Sequence, residues 1–355
     1  MYAMRRPAHS RGQSLTAYAH SPTPREHGPV PRNGDRGRRA PGVGIIGKVS
    51  SDSSTGTVAV VGTLNLDQVV RVDRLPADGE TVLGLSQSER PGGKGANQAA
   101  AAADLGPTAL IGAVGDDDAG SALLEHQRHA GVDVGRVLRV DGLSGRALIE
   151  VDADGNNRII VLSGANAALP ADHVLASLDA IDPSVVLTQL ESPYEITRAV
   201  ANWCRAHHTR FVLNPSPCAP LDDSVVSLAD PLIVNEIEAR YYAQSPSADS
   251  PLPNASAHSR PSSGVRSSSS VDSVAEHLLS GCRSVVITLG AEGVVVAGPD
   301  GIHRIEVRQV RAVDTTGAGD VFAGTLLAHL GAGRSLHAAA RNASSTATDF
   351  VTRPR

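Results

Sequence analysis

Asp314-Thr315-Thr316-Gly317-Ala318-Gly319-Asp320, followed at once by the apolar run Val321 to Leu330, joins a carboxylate to a turn able to hold an anion. Glycines at 317 and 319 let successive backbone N–H groups face one point, and a helix starting there adds the positive end of its dipole. The pattern predicts Asp320 in the first turn of that helix. A carboxylate beside unpaired N–H groups suits phosphoryl transfer to an alcohol: the acid accepts the hydroxyl proton, and the donors hold charge on the moving group. Taken alone, the same residues also describe a capped helix after a flexible turn.

Far upstream, Pro91-Gly92-Gly93-Lys94-Gly95-Ala96-Asn97-Gln98 leads into the Ala-rich stretch Ala99 to Leu105. The glycines admit a ligand close to the backbone, and Lys94 and Asn97 offer donors to hydroxyl groups. Lys94 and Lys48 are the only two lysines in a chain that otherwise uses arginine, which suggests a need for a compact ammonium at this loop. Without a partner site the loop is simply a glycine-rich helix entry. A third segment, Val60 to Asp67, is an apolar strand ending in small and polar residues. Ligands of open α/β sheets bind beyond the carboxyl ends of strands, so Asn65 and Asp67 lie where a polyol can be held. Both residue types also favour an ordinary turn.

The elements that must position these groups alternate. Apolar, β-branched runs fall at Val58 to Gly62, Thr108 to Val114, Ser184 to Thr188, Phe211 to Asn214, Pro231 to Asn235, Ser284 to Leu289 and Gly293 to Ala297. Helices are predicted at Asn97 to Leu105, Gly120 to Ala130, Tyr194 to His208 and Val274 to Leu279. That alternation predicts an α/β fold with a mostly parallel sheet covered on both faces. Gln68 to Val72 with Glu80 to Gln87, and Arg146 to Val151 with Arg158 to Leu162, read instead as antiparallel pairs.

A chain of 355 residues with 41% hydrophobic content can bury one large core, although only 3% of it is aromatic. The formal charge of -5 gives no reason to expect nucleic-acid binding. Cys204, Cys218 and Cys282 form neither a CxxC nor a metal pattern, as expected in a reducing, cytoplasmic compartment. No apolar run is long enough to span a bilayer. Residues 1–56, rich in Arg, Pro, Ser and Gly, are expected to form a disordered tail, and the Ser/Pro-rich insertion 244–273 a surface loop.

GTLNLD, GGKGANQA, SGANAAL, QLESP, VNEIEA, TLGAEG and DTTGAGD, in this order, resemble the ribokinase-like (PfkB) carbohydrate and nucleoside kinases. The resemblance implies a three-layer sandwich over 57–355. A small β-lid, with strands in 68–90 and 146–162, would cover the sugar and serve as a homodimer interface. It also implies ATP-dependent phosphorylation of a sugar primary hydroxyl. GGKGANQ, SGANAAL and QLES point to D-ribose and D-ribose 5-phosphate rather than to the fructokinase or adenosine kinase branches.

In this reading Asp320 is the general base, and the N–H groups of Gly317, Ala318 and Gly319 are the anion hole. Asn65, Asp67, Gly93, Lys94, Gly95, Asn97 and Glu191 hold the sugar. Asn235 and Glu238 match an NxxE motif that supports Mg²⁺ and the phosphates, largely through water. Thr288, Leu289, Gly290, Ala291, Glu292 and Gly293, with Gly319 and Ser344, line the ATP site, and Asp314 and Thr316 contribute to a K⁺ site. The sequence departs from the family's pattern at its end: it stops at Arg355 and lacks the Gly-Ala-x-x-Ser stretch that, in the family, completes the K⁺ site and covers adenine. Ser344 stands where Asn or His is common, and Asp349 falls in a usually apolar helix. Weak K⁺ activation and a looser ATP site are therefore expected. Another sugar kinase such as a fructokinase, or a binding relative with poor turnover, are the alternatives. A dinucleotide-dependent oxidoreductase is disfavoured because GTLNLD lacks the GxGxxG turn.

Overall fold

The computed structural model describes residues 56–244 and 270–353. In chain order the first half comprises β1 (Val58–Val61), β2 (Asn65–Val72), β3 (Gly84–Gly92), α1 (Lys94–Ala103), β4 (Thr108–Gly115), α2 (Asp118–His129), β5 (Asp133–Val140), β6 (Gly145–Val151) and β7 (Asn157–Leu162). A 3₁₀ turn at Gly164–Ala168 leads to α3 (Ala171–Ile181), β8 (Val185–Thr188), α4 (Tyr194–His207), β9 (Arg210–Leu213), α5 (Asp223–Val226), β10 (Ala229–Asn235) and α6 (Glu236–Ala243). Beyond residue 269 follow α7 (Val271–Leu279), β11 (Val285–Thr288), β12 (Val294–Gly298), β13 (Gly301–Ile305), α8 (Ala318–Gly331) and α9 (Leu336–Phe350).

Nine strands form one sheet in the order β13-β12-β11-β10-β9-β8-β1-β4-β5. All neighbours from β11 to β5 run parallel, and β12 and β13 are antiparallel additions at one edge. Side chains alternate across the pleat, so Val58 and Val60 join a core with α1, α2, α8 and α9, whereas Ala59 and Val61 join one with α3, α4, α6 and α7. Burial on both faces explains why these strands are continuous Val/Ile/Leu runs rather than alternating ones. Four further strands make a separate sheet, β3-β2-β6-β7, in which β2 pairs parallel with β6 and antiparallel with β3. No helix among the described residues is long and apolar enough to cross a membrane.

The structure corrects several boundaries. Helix α1 begins at Lys94, three residues before the expected start, so Lys94 sits on the helix and not in the loop before it. The second lid strand is β3, Gly84–Gly92, and not Glu80 to Gln87. Glu80 instead pairs with Arg74 and accepts the Ala77 N–H at 3.1 Å, which closes residues 74–80 into a loop. Strands β5 and β13 and helix α3 were not anticipated. The last residues of the Ser/Pro-rich segment are helical: the Ser270 side chain accepts the Ser273 N–H at 3.2 Å and caps α7, whose Val274, Ala275 and Leu278 are buried. The expected tail up to residue 55, and residues 245–269 of the insertion, lie outside the described residues.

Candidate active site

The parallel strands deliver polar residues at their carboxyl ends. Thr63 and Asn65 follow β1, Gln189 and Glu191 follow β8, Asn214 follows β9, and Asn235 ends β10. Gly93, the residue before α1, has φ of 92°, and a Cβ there would meet the Thr63 carbonyl at 2.7 Å and the Asn65 N–H nitrogen at 2.8 Å. Only glycine permits that conformation in that space. The tight approach seats the start of α1 on the β1–β2 connection, and Ala96 N–H donates to the Thr63 carbonyl at 3.0 Å.

Across this junction stands α8. Gly317 precedes it with φ of 75°, and Asp320 lies in its first turn, 7% exposed. The Asp320 carboxylate meets α1 on both oxygens: Oδ1 accepts from Gln98 Nε2 at 3.0 Å and lies 4.0 Å from Lys94 Nζ, and Oδ2 accepts from Asn97 Nδ2 at 3.2 Å. The glycine-loop and DTTGAGD segments, more than 200 residues apart, thus share one site. Of the four N–H groups at the turn, that of Ala318 is directed to the Thr315 carbonyl at 3.2 Å. Those of Gly317, Gly319 and Asp320 have no backbone acceptor among the described residues, so the helix entrance retains donors for an anion.

Glu191 closes the other side. Its Oε2 accepts both the Thr63 hydroxyl and the Lys94 N–H, the latter at 3.0 Å. Asn65 is buried, and its Oδ1 accepts from Asn166 Nδ2 at 2.8 Å. Asp67 lies 3.8 Å from Arg90 Nε. Burial pushes the Asp67 carboxyl up to about 6. The Arg90 guanidinium opposes that rise, while the charges of Glu191 and Asp320 add to it. Burial draws the Lys94 ammonium down, but Asp320, Glu191 and Glu238 together outweigh it and hold the group above its ordinary value. Lys94 is therefore a cation held by surrounding negative charge, with Asp320 the carboxylate that lies against it.

The nucleotide-side candidates form a second group. Asn235 and Glu238 cap α6 reciprocally, with Asn235 Oδ1 accepting the Glu238 N–H and Glu238 Oε2 accepting the Asn235 N–H, both at 2.9 Å. Thr288 is in register with Asn235 across β10 and β11, and the Leu289 N–H donates to the Gly293 carbonyl at 2.8 Å to close the TLGAEG turn. Gly290, Ala291 and Glu292 form its 3₁₀ turn, and Ala291 accepts from Gln309 Nε2 at 2.8 Å. Ser344 is buried on α9, where Asp349 is exposed and paired with Arg308 at 2.5 Å. Asp314 Oδ1 accepts the Thr316 N–H at 2.8 Å just before the anion turn. No cluster of three or more His, Cys, Asp or Glu among the described residues is disposed to hold a metal. Glu238 Oε1 keeps no hydrogen-bond partner among the described residues, so this oxygen can still accept a bond from water.

Sequence reasoning gave no role to Gln98, Asn166, Gln189 or Asn214, all buried in the walls of the site. Asn166 Oδ1 accepts the Leu64 N–H at 3.1 Å and its Nδ2 supports Asn65, while Gln98 bridges Asp320 to Asn214. The signal available was weak: Gln98 lies one helical turn after Lys94, and Asn166 lies within SGANAAL.

Comparison with known proteins gives the same family. Residues 55–354 match the model of the pfkB family carbohydrate kinases. The ribokinase of Staphylococcus aureus is 33% identical over 283 residues, covering 78% of this chain and 86% of that protein. The structure of Thermotoga maritima ribokinase superimposes with a TM-score of 0.72 at 30% identity, over 84% of this chain and 93% of that one. Arabidopsis thaliana ribokinase, solved with ribose and ATP, gives a TM-score of 0.72 at 26% identity, over 84% and 94% of the two chains. With its GGKGANQ and DTTGAGD motifs joined at one strand-end site and its match running through both sheets, the chain belongs to the pfkB family of carbohydrate kinases.

Proposed function

We propose that this kinase transfers the terminal phosphoryl group of ATP to the primary hydroxyl of a pentose, D-ribose, with Asp320 as general base. The observation that carries the reading is the meeting of Asp320 with Lys94 and Asn97 at the entrance of α8. Lys94, Asn97, Asn65, Asp67 and Glu191 would supply the donors and acceptors that a polyol with several hydroxyls requires. Asp320 takes the hydroxyl proton, while the free N–H groups of Gly317 and Gly319 lie where negative charge gathers on the transferred group.

When bound with ATP, Mg²⁺ would neutralise phosphate charge and orient the phosphoryl group. Asn235 and Glu238 would hold that complex through water, and Thr288 to Gly293 with Ser344 would receive the nucleoside. Asp314 and Thr316 are the residues assigned to K⁺. The exposed lid strands fit a homodimer of two such chains, and the cytoplasm is the compartment the reading implies.

ADP release measured with ribose, fructose and adenosine tests the substrate. Ribose is expected to give the highest kcat/KM; a preference for fructose would turn the assignment to a fructokinase. Replacing Asp320→Asn should lower kcat by about 10²- to 10⁴-fold while leaving KM for the sugar nearly unchanged. A variant with wild-type kcat would remove Asp320 from the chemistry.

A further inference from the structure

We propose that Gln98 is the positioning residue for Asp320, and that its amide ties the carboxylate to the strand end carrying Glu191. The inference rests on the reading of Asp320 as the base. Gln98 is fully buried, and its side chain is saturated: Nε2 donates to Asp320 Oδ1 and to Asn214 Oδ1, each at 3.0 Å, and Oε1 accepts from Gln189 Nε2 at 2.6 Å. Asn214 is itself fixed, because its Nδ2 donates to the Ile233 carbonyl at 3.0 Å.

These contacts allow only one orientation of the amide. Turned over, Gln98 would place its oxygen against the acceptors of Asp320 and Asn214, so both of those bonds would fail together. The network therefore holds one particular N–H on one particular carboxylate oxygen. Gln189 lies two residues before Glu191, whose Oε2 binds Thr63 and the Lys94 N–H. Displacement of the sugar-facing turn is thus transmitted through two amides to the base. Asn97 meets the other carboxylate oxygen at 3.2 Å but is less buried, which leaves Gln98 as the constant partner. The charged groups that act on Asp320 are Lys94 on α1 and Asp67 on β2; Glu191 after β8 acts on both of these, Arg90 on β3 on Asp67, and Glu238 on α6 on Lys94. A buried network of this kind loses more than one bond when one member is removed.

Two variants test the role. Gln98→Met keeps the volume and removes the donor. Gln98→Glu keeps an oxygen for Gln189 but replaces the donor by a second carboxylate beside Asp320. With Gln98→Met, kcat is expected to fall about 10- to 100-fold, and KM for ribose to stay within about threefold, because a base misplaced by a fraction of an ångström still leaves the sugar bound. With Gln98→Glu, the acidic limb of the kcat profile should also move to higher pH by about one unit or more, since neighbouring carboxylates resist joint ionisation. Thermal midpoints and ATP binding report whether each variant is folded.

Wild-type kcat in a folded Gln98→Met variant would overturn the inference. So would a pH profile left in place by Gln98→Glu, or the collapse of both folds, since either makes the amide a packing element only. Asp320→Asn measured in parallel separates the two readings. Full activity there removes the base itself, whereas an inactive Asp320→Asn beside unperturbed Gln98 variants removes only the positioning role.

Discussion

At the level of single residues, the site sets charged groups against burial, and Asp67 shows the consequence most directly. Its carboxyl is raised from 3.8 to about 6 chiefly by burial, against the pull of Arg90 and with the push of Glu191 and Asp320. A hydroxyl donor on the sugar needs the ionised form, which offers more lone pairs. KM for the sugar should therefore fall as pH rises through about 6, and Asp67→Asn should flatten that dependence. Stability runs the other way. The folded state binds its proton more tightly than the unfolded chain does, so this group's contribution declines as pH rises from 3.8 to about 6. Thermal midpoints of wild type and Asp67→Asn over that window check the sign: the variant should gain relative stability as pH increases. A KM that is constant from pH 5 to about 8, apart from denaturation, would separate Asp67 from sugar binding.

At the level of elements, the mostly parallel sheet and the helix of Asp320 were legible because their signals are local, whereas the order of the strands, set by long-range pairing, was not. β-Branched runs bounded by turn residues mark β1, β4 and β8 to β12, and the glycines before Asp320 mark the entrance of α8. The polar walls were not legible. Gln98 and Asp320 are 222 positions apart, and an amide inside an Ala-rich helix has no pattern that points to a partner. Edge strand β5 was missed because Asp133, Arg136 and Arg139 break its apolar run. Pro91 and Gly92 read as loop residues although β3 runs through them.

The Ala-rich run of α1 has a further meaning in the fold. Ala99 and Ala102 are fully buried within the core that includes α8, and at Gly324, one turn past Asp320, a Cβ would strike the Gln98 carbonyl and lie 2.9 Å from Ala101 Cβ. Small residues on both helices set the distance at which Asp320 meets Gln98 and Asn97. Gly324→Ala should force the helices apart, lowering stability by about 1–3 kcal/mol and kcat with it. Thermal unfolding, and kcat measured well below the midpoint, read the two effects separately. Lost stability with full kcat would show that the site tolerates the shift.

For the molecule as a whole, the lid decides what the isolated chain leaves unsatisfied. Its own core is small, consisting of Val69, Ala147 and Ile149 with Val151 packed beside them. Strand β7, at the sheet edge, exposes four consecutive aliphatic side chains, with Ile159 at 55% and Ile160 at 59%. Successive residues of a strand point to opposite faces, so both faces of β7 are exposed, and its outer backbone groups have no partner among the described residues. Leu85, on β3 at the opposite edge, is also exposed. An edge of that kind invites aggregation unless something covers it, and the homodimer proposed above covers it with a second lid. Ile160→Lys places a charge in the proposed interface without touching the described catalytic cluster. Sedimentation at micromolar concentration should then show a monomer where the wild type is a dimer. If the partner also steadies the lid over the sugar, KM for ribose should rise about tenfold or less while kcat changes little, since α1 and α8 lie in the other sheet's layers. A wild-type chain that sediments as a monomer across that range, or a variant that remains dimeric, would move the interface away from the lid.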